Sequence, residues 1–176
     1  LGLFGDGLGV SPGAYYGLLW VAFVAHLCVF LAAPALDRRL LRTGSALLIA
    51  LFALAPPLLS QDVFSYIDYA RLGVLHDLNP YTHAPLALPG DAAFPHVGWT
   101  ESVAAYGPLF TLATYPLGLV GVATALWTLK AVSALALAAL AALTARVAAG
   151  RGIDPARALV VVALNLRYHI KAGHGG

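Results

Sequence analysis

Residues 45–85 read SALLIALFALAPPLLSQDVFSYIDYARLGVLHDLNPYTHAP. Ser45 to Leu59 is apolar over about 15 residues, and Pro56 and Pro57 end its regular part, because proline lacks a backbone donor and crowds the preceding turn. Asp62 then opens a segment rich in carboxylates, tyrosines, histidines and prolines. An apolar run that gives way to a carboxylate reads as a membrane span meeting an aqueous face. The rest of the chain agrees: it is 60% hydrophobic and 10% charged, where soluble domains carry roughly 25% charged residues. The fold class expected is an all-α polytopic membrane protein.

Outward from that junction, spans are expected at about 14–36, 44–60, 121–147 and 157–170, four in all, with residues 61–120 forming one large loop. Tyr15, Tyr16 and Trp20 suit an interfacial belt. Arg38, Arg39 and Arg42 form one basic cluster, and Arg146, Arg151 and Arg157 form another. Positive-inside reasoning puts both in the cytoplasm and the loop outside. For both to hold, YGPLFTLATYPLGLVG at 106–121 must return to the side it left, as an interfacial or re-entrant hairpin broken by Pro108 and Pro116. A fifth true span is the competing count. Asp154-Pro155 has the composition of a helix start. The lack of Met and the ending KAGHGG read as a fragment, so 1–176 is taken as the N-terminal part of one transmembrane domain.

A net charge of +2 with no basic run excludes nucleic acid as a partner. The lone Cys28 excludes an intramolecular disulfide and a cysteine-based metal site. No histidine spacing supports a metal site either, so none is assigned. No cofactor is expected, although a divalent metal is compatible with so acidic a loop.

Five of the eight carboxylates lie in the loop: Asp62, Asp68, Asp77, Asp91 and Glu101. Asp62 stands where the second span ends, a place where burial and neighbouring charge can tune a carboxylate as a general base. It is equally a good helix N-cap. In a helix, Asp62, Tyr66 and Tyr69 fall at i, i+4 and i+7 on one face, a carboxylate-and-phenol surface able to grip sugar hydroxyls. The same pattern suits an amphipathic helix with its tyrosines at headgroup depth. Asp68 is the second choice of carboxylate. Arg71 can hold a phosphate or simply reach toward headgroups. Asn79-Pro80-Tyr81 is a turn that ends the preceding helix near Leu78. Lys130, about eight residues into an apolar run, either faces a lipid phosphate or extends to the surface.

Taken together, DVFSYIDYARLGVLHDLNPYTHAP followed by YGPLF resembles the first outer loop of GT-C-type membrane glycosyltransferases, in particular the bacterial polyprenol-phosphate-mannose-dependent α-mannosyltransferases. The resemblance covers roughly residues 45–120. It implies a GT-C-like fold and a catalytic carboxylate at Asp62. It places the motif arginine at Arg71, the turn at Asn79, Pro80 and Tyr81, the Tyr-Gly-Pro element at Tyr106, Gly107 and Pro108, and a later Gly-His at Gly173 and His174. Asp77 stands where the pattern usually has glycine. Substrate contacts are expected from Tyr66, Tyr69, Asn79, Tyr81, Tyr106 and His174, and donor-phosphate contacts from Arg71 and Lys130.

The activity implied is transfer of a hexose, mannose by this resemblance, from a polyprenyl-phosphate donor to a glycan or glycolipid acceptor. The reaction would invert the sugar, with an Asp base, on the extracytoplasmic side of a bacterial inner membrane, in cell-envelope synthesis. The fragment by itself is expected to be inactive. The rival readings are a transporter or flippase, which would spread charges through the spans, and a non-catalytic membrane assembly subunit.

Overall fold

The computed structural model describes residues 12–55 and 61–163. Among them the chain is helical, without strands. Helix α1 runs Pro12–Ala32 and continues into a 3-10 turn at Ala33–Ala35, where Pro34 halts the α-helix. Helix α2 runs Arg38–Leu54. Its three arginines crowd the positive end of the helix dipole, and Asp37 offsets them as the N-cap, accepting from the Arg39 N–H at 2.8 Å. Ala55 is extended, at φ −64° and ψ 144°, as the residue before a proline prefers. The remaining α-helices are α3 Asp62–His76, α4 Pro108–Gly118, α5 Val122–Gly150 and α6 Pro155–Ala163. Asp154 caps α6 by accepting from the Ala156 N–H at 3.0 Å, which is the helix start expected at Asp154-Pro155.

Among the described residues two helices are long and apolar enough to cross a membrane: α1 with its following turn, Tyr16–Ala35, and α5. Their large side chains stand outward. Trp20 is 68% exposed and Leu135 70%, unlike the packed helices of a soluble core. In the region of the second expected span, α2 begins six residues before 44 and takes the arginines into its N-terminal part, while residues 56–60 lie outside the described ones. Only the Pro155–Ala163 part of the fourth is described. Helix α4 has 11 residues, about 16 Å of rise, roughly half of a hydrocarbon core. It is too short to be a span in itself.

The chain divides into two compact units. One comprises, of the described residues, those up to Ala55 and those from Ala131 on. Here Ala33, Leu41, Ala156 and Val160 form the core, with Val29, Phe30, Leu36 and Leu159 packed around it. Arg38, Arg42 and Arg146, drawn from the two basic clusters, line one cavity of about 500 Å³.

The other unit holds residues 61–130 and is built around α3. Phe64 and Ile67 pack with Ala93, Val97, Ala125 and Leu126 on one side. Tyr69 and Leu72 pack with Ala104 on another. Helix α4 lies close against α3 because two glycines allow it: a Cβ on Gly73 would strike the Tyr115 ring, and one on Gly118 would sit 2.9 Å from the Ala70 backbone. Helix α3 is therefore a buried central helix, which corrects the amphipathic interfacial reading. The polar loop folds over it and removes from lipid the face that the tyrosine spacing had suggested.

Candidate active site

Helix α3 begins at the carboxylate. Gln61 is the N-cap and makes no side-chain capping bond; Asp62 is the first helical residue. The capping role considered for Asp62 thus shifts by one position. Its carboxylate sits in the first turn, where the helix dipole favours negative charge. The Trp99 indole Nε1–H donates to Asp62 Oδ1 at 2.9 Å. Asp62 keeps intermediate exposure, so a solute can reach it.

One turn on, Tyr66 meets Tyr106 and Phe110 edge-on, with ring centroids 4.7 and 5.0 Å away; Tyr106 and Phe110 are 5.7 Å apart. Tyr66 and Tyr106 are half-buried and Phe110 is exposed. Burial, followed by the Tyr106 hydrogen bond and by the charge of Asp62, pushes the Tyr66 phenol well above its ordinary range. It stays a neutral hydroxyl beside the carboxylate.

The turn motif joins this cluster. Asn79 Oδ1 accepts from the Tyr81 N–H at 2.9 Å, and the Asn79 carbonyl accepts from the N–H groups of Thr82 and His83. The Tyr81 hydroxyl donates to the Tyr106 carbonyl at 2.9 Å and lies 2.9 Å from the Thr111 hydroxyl. Asn79 thus organises backbone, and Tyr81 ties the turn to the Tyr-Gly-Pro element. Asp77 ends α3 with φ 53°, the left-handed conformation that glycine adopts most readily. That explains why the family pattern carries glycine there, and Asp is among the residues that tolerate the geometry.

Three residues expected to face substrate turn inward. Asp68 is 1% exposed, and neither carboxylate oxygen has a hydrogen-bond partner among the described residues. Burial pushes its carboxyl up to about 7, aided by the charge of Asp91 and opposed by Arg71 and His76. It is not placed to serve as the alternative base. Tyr69 is buried, and its hydroxyl donates to the Ser102 carbonyl at 2.8 Å; burial is the main cause of its phenol rising to about 12. Arg71 directs Nε to Asp91 Oδ1 at 2.7 Å and Nη1 toward the Gly118 and Val120 carbonyls at 3.3 and 3.5 Å. Its planar fork clamps the loop to the end of α4 instead of opening toward an anion.

Asp91 is the residue that sequence reasoning left without a role. Burial pushes its carboxyl up, but the hydrogen bonds from Arg71, the Ala93 N–H and His76 outweigh burial and hold it below the usual carboxylate value. Trp99 is the other omission; an indole in a polar loop, 37 residues from the acid it touches, carries no local signal of that pairing. Among the described residues no three His, Cys, Asp or Glu converge as metal ligands. Lys130 has its Nζ 5.5 Å from the Trp127 ring centroid. His174 lies outside the described residues.

Neither the curated proteins nor the solved structures yielded a match. A family model does match, over residues 10–170, its description being alpha-(1->6)-mannopyranosyltransferase, N-terminal domain. That range includes the start of α3, the Asn-Pro-Tyr turn and the Tyr-Gly-Pro element, and it covers most of the chain. A membrane-type helical chain with a carboxylate beside a cluster of rings is in keeping with glycosyl transfer, and on this match the chain belongs to the MptA_B family of mannosyltransferases of the GT-C type.

Proposed function

We propose that this protein transfers a mannosyl unit from a polyprenyl-phosphate donor to a hydroxyl of a glycan or glycolipid acceptor, with Asp62 as general base, at the extracytoplasmic face of a bacterial cell membrane. The observation that carries the reading is Asp62 itself, a reachable carboxylate at the start of a buried helix, held by an indole N–H and flanked by Tyr66. In the transfer step, the Asp62 carboxylate accepts the proton of the acceptor hydroxyl. The freed oxygen pair bonds the anomeric carbon. The bond from that carbon to the phosphate oxygen breaks, and its electron pair departs on polyprenyl phosphate.

Attack opposite the leaving group inverts the anomeric centre. The family description specifies an α-(1→6) product, so an inverting reaction takes a β-linked donor and the acceptor's 6-hydroxyl. Tyr66, Tyr106 and Phe110 offer ring faces for the sugar's C–H groups and a phenol for its hydroxyls. The departing phosphate gains charge near low-dielectric lipid and needs a cation. Arg71 is engaged with Asp91. We therefore assign that role to Lys130, on the helix that packs against α3 through Ala125 and Leu126.

Base catalysis of this kind supplies roughly 10²–10⁴-fold. Asp62→Asn preserves shape and removes the base. In membranes carrying the full-length enzyme, transfer of labelled mannose from the polyprenyl-phosphate donor should fall by about 10²-fold or more, with protein level unchanged. Retention of over half the activity would show that Asp62 is not the base.

A further inference from the structure

The segment that carries Trp99 is pinned on every side. Val97 is buried among Phe64, Ile67 and Ala93. The Thr100 carbonyl accepts from the Leu86 N–H at 2.8 Å, and the Ala104 N–H donates to the Pro80 carbonyl at 2.8 Å. The Ser102 carbonyl accepts from the Tyr69 hydroxyl, and the Ser102 N–H closes a turn back to the Trp99 carbonyl at 3.2 Å. Gly98 passes so close to Gln61 that a Cβ there would meet Gln61 Oε1. A loop fixed at five places around one residue presents that residue in a set orientation. What it presents is a donor, aimed at Asp62 Oδ1.

We propose that Trp99 is a positioning residue of the transfer reaction, its indole N–H fixing one oxygen of the Asp62 carboxylate and thereby setting how the base meets the acceptor hydroxyl. The proposal rests on the reading of Asp62 as the base. Indole nitrogen is a donor only and does not ionise in the working pH range, so it orients the acid without competing for its proton.

The indole is also 47% exposed, so a ring this close to the acid could instead stack on a sugar. Two substitutions divide these roles. Trp99→Phe keeps an aromatic face and removes the N–H, and Trp99→Ala removes both. The full-length enzyme in membranes is assayed with a short-chain polyprenyl-phosphate mannose. Trp99→Phe should lower kcat about tenfold and leave the donor KM within about twofold. A wild-type kcat in Trp99→Phe, with a raised KM in Trp99→Ala, overturns the proposal in favour of stacking. Asp62→Asn, measured beside them, keeps the two questions apart. An active Asp62→Asn removes the base reading itself, whereas an inactive Asp62→Asn with a wild-type kcat in Trp99→Phe removes only the role of Trp99.

Discussion

Asp68 offers the sharpest test of the unit built around α3. Its side chain is 1% exposed, its oxygens lack hydrogen-bond partners among the described residues, and Asp91, Arg71 and His76 are the charged groups that act on it. Burial holds its carboxyl at about 7 against 3.8 in the unfolded chain. Between those values the folded state binds more protons than the unfolded one, so stability declines as pH rises through that window. Integrating from pH 5 to pH 8 gives a loss of about 2–3 kcal/mol from this one group. For a chain of this size that corresponds to about 5–10 °C in unfolding temperature. Asp68→Asn keeps the volume of the protonated acid and cannot ionise, so the loss should disappear. The measurement is thermal unfolding in detergent at pH 5 and pH 8, followed by tryptophan fluorescence. The variant should exceed the wild type by a margin that widens by about 5–10 °C between pH 5 and pH 8. Equal slopes against pH in the two proteins would refute the argument, because they would show that the Asp68 carboxyl is not carried into the fold as the neutral acid.

Arg71→Ala should leave the Asp91 carboxylate, 3% exposed, buried without its main partner, a loss of about 3–5 kcal/mol. Limited proteolysis between 77 and 107 should rise sharply, with Arg71→Lys intermediate; unchanged cleavage in both would return Arg71 to the phosphate. Gly118→Ala would place a Cβ 2.9 Å from the Ala70 backbone. It should lower the unfolding temperature by an amount matching about 1–3 kcal/mol, and a variant as stable as wild type would show that α4 does not lie so close to α3.

The membrane class could be read from composition, and so could the start of α6 at Asp154-Pro155 and the turn at Asn79-Pro80-Tyr81, because each depends on neighbouring residues alone. Membership of the mannosyltransferase family was also legible, since its motif elements are contiguous in sequence. Burial of α3 was not. Its tyrosines and carboxylates read as a surface face, and only the folding of residues 77–107 back over the helix hides Tyr69 and Asp68. Hydropathy marked only the apolar part of α2, whereas the helix also takes in Arg38, Arg39 and Arg42, with Asp37 as its cap. The pairing of Arg71 with Asp91, 20 residues away, was not legible, since long-range ion pairs leave no periodic trace.

The choice between the two carboxylates of α3 turns on environment. Asp62 and Asp68 lie on one helix, six residues apart, and position in the sequence ranks Asp62 first without showing what surrounds either of them. A base working near neutral pH must be ionised and within reach of a hydroxyl. Asp62 meets the second demand through its intermediate exposure, and the indole N–H of Trp99 is directed at one of its oxygens. Asp68 meets neither, being enclosed and close to half-protonated at neutral pH. Asp91 completes the contrast: also buried, it is held in its ionised form because Arg71, a backbone N–H and His76 converge on it. Its stabilising contribution is present above roughly pH 5 and is lost as pH falls through its depressed value, while the cost of ionising Asp68 grows over the opposite direction. Three carboxylates within one small unit are thus sorted into a reachable one, a buried one whose proton is held more tightly and a buried ion-pair anchor. The sorting is done by which donors the loop brings to each of them.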